Sequence, residues 1–174
     1  MVVQLTDRAL LKLSGKDVQS FLQGQFSNDI DALEENQAQL NAYCQHQGKA
    51  IALVWVMRQD ADYYLSFPHD LIDIVQQKLM MFKMMSDVVI ADVSTDIAQL
   101  GLIDEKSNTS FELNAQQSIA LVENIDAIEL SNGEIWARTC IENQLPEVYL
   151  KTSEQFVPQM LNLDIDERGV SFTK

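Results

Sequence analysis

The sequence predicts an α+β fold with antiparallel or mixed sheets and packed helices, in one domain over residues 1–174. Two observations predict this class. Segments in which apolar and polar residues alternate, as in strands, interleave with segments in which apolar residues recur every three or four positions, as in helices. There is no internal repeat and no low-complexity linker. With 47% hydrophobic residues, the chain is long enough to bury one core of ordinary size.

The first segment, "ALLKL" at residues 9–13, is typical of a short strand. Ser14 is predicted to cap a helix that follows, because a serine side chain accepts a hydrogen bond from the free amides of a first turn. Val18, Phe21 and Leu22 then form one apolar helix face. Gly24 is predicted to end this helix, since glycine accepts the left-handed conformation at little cost.

Three strands are predicted next, and they indicate a meander. "QAQLNAYCQ", residues 37–45, alternates polar residues with four that share one face, namely Ala38, Leu40, Ala42 and Cys44. "AIALVWVM", residues 50–57, is continuously apolar, which is typical of a strand covered on both faces. "YYLSF", residues 63–67, is the third strand.

The most regular helix pattern runs from about His69 to Met84, with Pro68 suited to its first turn. Its apolar residues are spaced by four, four and three positions, at Leu71, Val75, Leu79 and Phe82. Four methionines lie on the same segment: Met80, Met81, Met84 and Met85. They are predicted to fill gaps in the core, with soft-metal capture or an adaptable partner surface as the alternatives.

Further strands are predicted at residues 88–93, 97–103, 118–122 and 127–130, with an exposed loop within residues 104–117. Two interpretations compete at "SNGEIW". Asn132-Gly133 favours a hairpin, whereas "GEIWARTCIEN" also fits a short helix that ends before Pro146.

The composition indicates which kinds of partner and which cellular location the protein is expected to have. With 26 acidic and 12 basic residues the formal charge is -14, so direct DNA or RNA binding is not expected. No apolar run approaches the roughly 18 residues of a membrane span, and the start lacks the features of a secretory signal, so a cytoplasmic protein is predicted. Cys44 and Cys140 are predicted to be reduced, half-buried thiols.

Few motifs of known chemistry are present. The chain contains no phosphate loop, no dinucleotide glycine fingerprint and no nucleophile elbow. Cys44 and His46 could begin a metal site, but four ligands would require His69 and Cys140 as well, so we predict no metal. The motifs alone predict an acidic α+β domain and nothing more specific.

The order of four segments is more informative. "ALLKLSGKDVQSFLQGQFSNDI", "NAYCQHQGKAIALVWVMRQDADYYLSF", "VVIADVS" and "QFVPQMLNLDIDERGVSF" resemble the YgfZ-type folate-binding proteins, relatives of the aminomethyltransferase (T-protein) of the glycine cleavage system. The family pattern of a Gly-Xaa-Asp start, a helix and a Gln-Gly-Gln segment matches Gly15, Asp17, residues 23–25, Ser27 and Asp29.

The resemblance implies an aminomethyltransferase-like fold with two intertwined lobes, about residues 1–48 with 136–174 and about residues 49–135. It implies a tetrahydrofolate pocket, and a role in assembly or repair of iron-sulfur clusters and thereby in tRNA modification. The implied partners are the folate and an iron-sulfur protein, with no membrane. The folate-binding residues it implies are Arg8, Gln23, Gln25, Asn28, Asp29, Tyr43 and Trp136.

Two of these residues carry alternatives. Arg8 stands where the family has a first tryptophan, so it could pair with the glutamate tail of folate or stack on the pterin; the alternative is a solvent-exposed surface arginine. Trp136 matches the second tryptophan, which favours the helix at "SNGEIW"; the alternative is an ordinary core aromatic.

Departures from the family bear on catalysis. Ala52 and Leu53 stand where aminomethyl transferases carry an aspartate pair, so a non-catalytic accessory protein is predicted. The family's Lys-Gly-Cys signature would begin at Lys174, and the barrel lobe that follows it is not expected here. One alternative is a degenerate interaction module with an apolar patch at residues 156–160, lined by Phe156, Val157 and Met160. A weaker one is a one-carbon transferase that uses Asp29 or Asp92.

Overall fold

The computed structural model describes residues 1–174 and confirms the α+β class. Its elements are β1 (Val2–Gln4), β2 (Arg8–Ser14), α1 (Val18–Gln25), β3 (Ala38–Cys44), β4 (Ala50–Gln59), β5 (Asp62–Pro68), α2 (Ile72–Phe82), β6 (Val89–Asp92), β7 (Ala98–Ile103), β8 (Ser110–Glu112), β9 (Gln117–Val122) and α3 (Glu134–Glu142). A five-stranded sheet has the order β3-β4-β5-β2-β6, and a four-stranded sheet has the order β1-β7-β9-β8. None of the helices has both the length and the apolar character required to cross a membrane. The division into two sub-lobes stays a prediction.

The predicted meander of β3, β4 and β5 is confirmed, and all pairings in it are antiparallel. Every residue of 50–57 is buried, because both faces of β4 are covered as its continuous apolar sequence predicted. The predicted apolar face of β3 packs in one cluster with Leu53 and Trp55 of β4 and with Val148 and Leu163 from the C-terminal segment. The alternation of residues along β3 therefore predicted the correct face.

The largest core cluster lies between the five-stranded sheet and the helices α1 and α2. A second cluster joins the two sheets, with Leu10, Tyr64, Ile119 and Trp136 among its members. Trp136 lies directly on the backbone of β7, since a Cβ atom added to Gly101 would stand 2.4 Å from Cε3 of its indole. Only glycine fits beneath this ring, so the position of Trp136 is fixed by tight packing.

Both predictions for the ends of α1 are wrong. Asp17, not Ser14, occupies the N-cap, because Ser14 still belongs to β2. Gly24 lies inside the helix, which continues to Gln25 and ends at an extended Phe26. A left-handed glycine is not needed here, since the ammonium of Lys174 donates to the carbonyl oxygens of Gln23, at 2.8 Å, and of Phe26.

Helix α2 is confirmed, with residues 69–71 forming a 3₁₀ turn before it and its end at Phe82 rather than Met84. The prediction that the four methionines fill the core is wrong. Their exposed fractions are 45% for Met80, 58% for Met81, 81% for Met84 and 96% for Met85. The core stripe runs through Leu71, Val75 and Leu79, so two methionines lie beside it and two follow the end of the helix.

In the second half, residues 104–117 include the short edge strand β8, and residues 127–130 form no strand. At "SNGEIW" the helical interpretation is confirmed, as the match of Trp136 to the family predicted, with α3 beginning at Glu134. Asn132 takes part in a local turn instead of a hairpin, because its Oδ1 accepts a hydrogen bond from the amide of Glu134 at 3.0 Å.

Candidate functional site

A pocket of about 380 Å³ lies between the start of β2, helix α3 and the segment 145–149. We call it the Arg8 pocket. It brings together Arg8 and Trp136, which are far apart in sequence and were both predicted as folate-binding residues. Its lining residues are mostly apolar and comprise Asp7, Arg8, Trp136, Ala137, Cys140, Ile141, Leu145, Pro146, Glu147 and Tyr149.

Arg8 is buried and ion-paired in this pocket. Its Nη1 donates to Oε1 of Glu147 at 2.6 Å, its Nε to Oγ of Ser66 at 2.8 Å, and its Nη2 to the carbonyl oxygen of Ser66 at 3.1 Å. Only 9% of the residue is exposed, so the alternative of a solvent-exposed surface arginine is wrong. Three of its five N–H groups are occupied by the protein itself.

The hydrogen-bond chain continues into the second sheet. Ser66 Oγ donates to Oε1 of Gln99 at 2.5 Å, and Nε2 of Gln99 donates to the carbonyl oxygens of Arg8 and Ala9 at 3.3 and 3.2 Å. Ser66 lies on β5 and Gln99 on β7, so the chain connects the pocket to both sheets. Sequence reasoning missed both residues; the available signal was a polar residue inside "YYLSF" and inside "IAQLGLI".

Glu147 presents an unused acceptor. Its Oε1 is held by Arg8, while its Oε2 is buried and has no hydrogen-bond partner in the protein. A buried carboxylate oxygen without a donor is costly, so this atom requires an N–H or O–H group from a ligand or solvent. Glu147 was missed because it lies in an irregular segment after Pro146, where sequence gives no periodic signal.

Two titratable groups in the walls of the Arg8 pocket, the Cys140 thiol and the Tyr149 hydroxyl, are uncharged at physiological pH. Burial raises the pKa of the Cys140 thiol, and a hydrogen bond from Nε2 of Gln117 at 3.4 Å opposes this only in part. Burial also raises the pKa of the Tyr149 hydroxyl, and the nearby Glu147 carboxylate adds to the effect. Both groups therefore stay protonated, and the pocket offers no thiolate nucleophile.

Trp136 is a core aromatic, as its alternative describes, and it also lines the Arg8 pocket. It is 9% exposed and belongs to the cluster between the sheets, as a core aromatic does, and it also forms a wall of the Arg8 pocket. Its participation in folate binding stays a prediction.

Gln23, Asn28 and Asp29 are placed elsewhere, with Gln23 in the last turn of α1 and Asn28 and Asp29 in the turn that follows it. Gln23 donates through Nε2 to Oδ1 of Asp29 at 2.8 Å and accepts through Oε1 from the amide of Ile30 at 2.8 Å. Asn28 donates its amide to Oδ1 of Asn41 and its Nδ2 to the carbonyl oxygen of Leu40. These contacts give the first glutamine of Gln-Gly-Gln a structural explanation, since it holds the turn.

Gln25 and Tyr43 line a third location, a cleft of about 300 Å³ formed by the end of α1, the end of β3 and helix α2. We call it the Tyr43 cleft. The seven predicted residues are therefore divided among the Arg8 pocket, the end of α1 with the turn after it, and the Tyr43 cleft. The structure does not bring them into one pocket.

Neither the two catalytic candidates, Asp29 and Asp92, nor the positions of the family's aspartate pair lie in the Arg8 pocket. Ala52 and Leu53 are fully buried core residues. Asp29 accepts hydrogen bonds within its turn, and Asp92 accepts from Oγ of Ser94 at 2.6 Å at an exposed position. Both cysteines are half-buried, as predicted, and neither takes part in a disulfide.

No protein-family model matches the chain. The chain is 29% identical over 182 residues to an uncharacterized protein of Haemophilus influenzae. It is 27% identical over 209 residues to the tRNA-modifying protein YgfZ of Klebsiella pneumoniae, and 23% identical over 206 residues to the protein of the same name from Colwellia psychrerythraea. Each of these matches covers 99% of this chain, and the chain spans 63% of the length of these curated relatives.

Among solved structures, the glycine cleavage system aminomethyltransferase T from Bartonella henselae matches with a TM-score of 0.59. The match covers 80% of this chain and 45% of that protein, at 9% sequence identity, so it concerns the fold alone. Relatives and structure agree with the resemblance of the four quoted segments. The chain therefore has the aminomethyltransferase-like fold of the YgfZ-type proteins.

Proposed function

We propose that this cytoplasmic chain binds tetrahydrofolate in the Arg8 pocket and acts as an accessory protein of iron-sulfur cluster assembly or repair, and thereby of tRNA modification. Its role is to bind the folate and not to catalyse one-carbon transfer. The support from relatives is that two of them carry the name tRNA-modifying protein YgfZ. The fold is shared with an aminomethyltransferase.

The observation that carries the proposal is the free oxygen of Glu147. A pterin presents N–H donors along one edge, and a carboxylate oxygen that lacks a donor is their natural acceptor. Arg8 fixes the other oxygen at 2.6 Å, so the carboxylate is already oriented before a ligand arrives. Little side-chain conformational entropy is therefore lost when a ligand binds, because Glu147 is already ordered.

The shape of the Arg8 pocket suits the flat part of such a ligand. Its volume of about 380 Å³ is at the small end of the range for ligand sites, which matches a bicyclic ring whose tail extends into solvent. Trp136 and Tyr149 supply aromatic surface for the ring.

The proposed absence of catalysis is supported by the side chains available. Aminomethyl transfer requires a carboxylate near the reactive folate nitrogen, and the family positions for it hold Ala52 and Leu53 here. The only carboxylates in the Arg8 pocket belong to Asp7 and Glu147, and Glu147 is already paired with Arg8.

Calorimetric titration with tetrahydrofolate under anaerobic conditions tests the proposal, with Glu147→Gln as the variant. Glutamine keeps the volume and an oxygen for Arg8 but replaces one acceptor oxygen with a donor. We expect an affinity loss of about tenfold to a hundredfold, which corresponds to one hydrogen bond to a charged group. Glu123→Gln, at an exposed position outside the pocket, is the matched control and should bind as wild type does.

Trp136→Ala is a poorer variant, because removing a core aromatic costs about 3–5 kcal/mol and affects folding. No binding by the wild type, or equal affinity in wild type and Glu147→Gln, would remove the Arg8 pocket as the folate site.

A second candidate function is a protein-interaction module, and the exposed residues after the core stripe of α2 favour it. Met80, Met81, Phe82, Met84 and Met85 form an apolar surface of the kind that adapts to partners. The residues 156–160 support it less, since Phe156 and Val157 are half-buried and only Met160, at 68%, is exposed. Co-precipitation of an iron-sulfur protein that is lost in Met84→Ser/Met85→Ser, with folate binding intact, would favour this function.

A further inference from the structure

The Tyr43 cleft has a composition that is unusual for this protein. Nine residues line it, and none is aspartate or glutamate, although the chain has 26 acidic residues and a formal charge of -14. The Arg8 pocket, by comparison, contains Asp7 and Glu147. The ionisable groups that line the Tyr43 cleft are instead Lys78, His46, Cys44 and Tyr43.

Lys78 supplies a positive charge that the protein does not neutralise. It is half-buried on α2, and it makes neither a salt bridge nor a side-chain hydrogen bond. Lys12, which is half-buried on β2, pairs by contrast with Asp62 at 2.8 Å. In a strongly acidic protein, a half-buried lysine without a carboxylate partner is available to bind an anion.

Tyr43 supplies a donor without a partner. The residue is 2% exposed, and its hydroxyl is buried with no hydrogen bond in the protein. Leaving such a group unpaired costs free energy, which a ligand acceptor would recover. The position of the ring is fixed, since its centroid lies 5.4 Å from that of Phe26.

The protonation states leave the cleft without negative charge at neutral pH. Burial raises the pKa of the Tyr43 hydroxyl to about 12 and that of the Cys44 thiol to about 11. Tyr43 is therefore a hydrogen-bond donor and Cys44 an uncharged thiol throughout the physiological range.

We propose that the Tyr43 cleft binds an oxyanion, a phosphate or carboxylate group carried by a small ligand, with the Lys78 ammonium and the Tyr43 hydroxyl as its principal donors. The amide of Gln25 and the imidazole of His46 line the same cleft and offer further N–H groups. Phe82, which is 60% exposed, forms an apolar wall for the rest of the ligand. This site is separate from the Arg8 pocket and does not depend on folate binding.

Two-dimensional amide NMR at low ionic strength tests the site, with inorganic phosphate and sodium acetate as the probes in separate titrations. Saturable shifts are expected at residues 24–25 and 43–46 in the wild type. In Lys78→Met and Tyr43→Phe we expect at least about tenfold weaker binding, since each removes one hydrogen bond to a charged group. Lys151→Met is the control, because Lys151 is exposed and lies outside the cleft.

Tyr43→Phe separates binding from folding. The hydroxyl has no partner in the free protein, so its removal should leave the free energy of unfolding unchanged or raise it while binding of the oxyanion weakens. Saturation by phosphate alone or by acetate alone would support the site and identify the oxyanion. Absence of saturable shifts with both probes, or equal affinity in Lys78→Met and Lys151→Met, would overturn it.

Discussion

Replacing Arg8 with methionine should be among the most damaging single changes in the Arg8 pocket. Methionine occupies similar space but removes all three side-chain hydrogen bonds of Arg8, to Oε1 of Glu147 and to Oγ and the carbonyl oxygen of Ser66. The two charged side chains are 7% and 20% exposed, so the remaining Glu147 carboxylate would be nearly buried without a counter-charge. The attraction between the two charges would then no longer compensate for the desolvation of Glu147.

The expected size of the effect follows from this burial. Breaking a buried ion pair by removing one partner costs about 3–5 kcal/mol, and the partial exposure of Glu147 favours the lower end, about 3 kcal/mol. Arg8→Met/Glu147→Leu removes both charges and should be more stable than Arg8→Met alone, because no unpaired charge remains. Glu147→Gln keeps an acceptor for Arg8 and should cost only about 1–2 kcal/mol.

Urea unfolding followed by circular dichroism measures these free energies. Wild type, Arg8→Met, Glu147→Leu and Arg8→Met/Glu147→Leu form a double-mutant cycle. If Arg8→Met lies within about 0.5 kcal/mol of wild type, the pair contributes nothing to stability. If the double variant is less stable than Arg8→Met by the full cost of Glu147→Leu, the two residues act independently, and the description of a coupled pair is wrong.

Three further predictions concern other parts of the molecule. Gly101→Ala should lower the free energy of unfolding by about 2–3 kcal/mol, because the new Cβ would stand 2.4 Å from the buried indole of Trp136. Thermal unfolding and tryptophan fluorescence measure this effect, and an unchanged melting temperature and emission spectrum would contradict the prediction. Lys174→Met should lower the free energy of unfolding by about 1 kcal/mol and speed hydrogen exchange in the turn after α1, because the carbonyl oxygens of Gln23, Phe26 and Asn28 lose their shared donor. Lys151→Met is the control, and equal exchange rates in the two variants would refute the contact. The free energy of unfolding should fall as pH rises above about 9, because the folded state keeps the protons of Cys44 and Tyr43 up to pKa values of about 11 and 12, whereas the unfolded chain releases them near 9.0 and 10.0. Tyr43→Phe should reduce this pH dependence. A free energy of unfolding that stays constant between pH 9 and 11 would contradict the burial of these two groups.

The elements that sequence predicted well are those whose pattern is local. The alternation along β3 fixed which of its residues face Val148 and Leu163, and the spacing of Leu71, Val75 and Leu79 located the buried side of α2. A periodic pattern states which face is apolar, and burial of that face is the dominant favourable contribution to folding.

The predictions that failed depended on contacts distant in sequence or on the exact end of a helix. Gly24 does not end α1 because Lys174 supplies the missing donor from the other end of the chain. Met84 and Met85 are exposed because α2 ends at Phe82, and no pattern in the segment encodes that end. Ser66, Gln99 and Glu147 each look ordinary in sequence, and they become a polar network only after two sheets and an irregular segment pack around Arg8.

The hydrogen-bond chain from Glu147 through Arg8 and Ser66 to Gln99 has a mechanical consequence. These bonds cross from one sheet to the other, so the sheets cannot slide past each other without breaking contacts that also hold the floor of the Arg8 pocket. If a ligand donates a hydrogen bond to Oε2 of Glu147, as proposed, we expect its binding to oppose this sliding and to make the junction between the sheets more rigid. A ligand bound in the Arg8 pocket would therefore stabilise the junction between the two sheets as well as occupy the pocket.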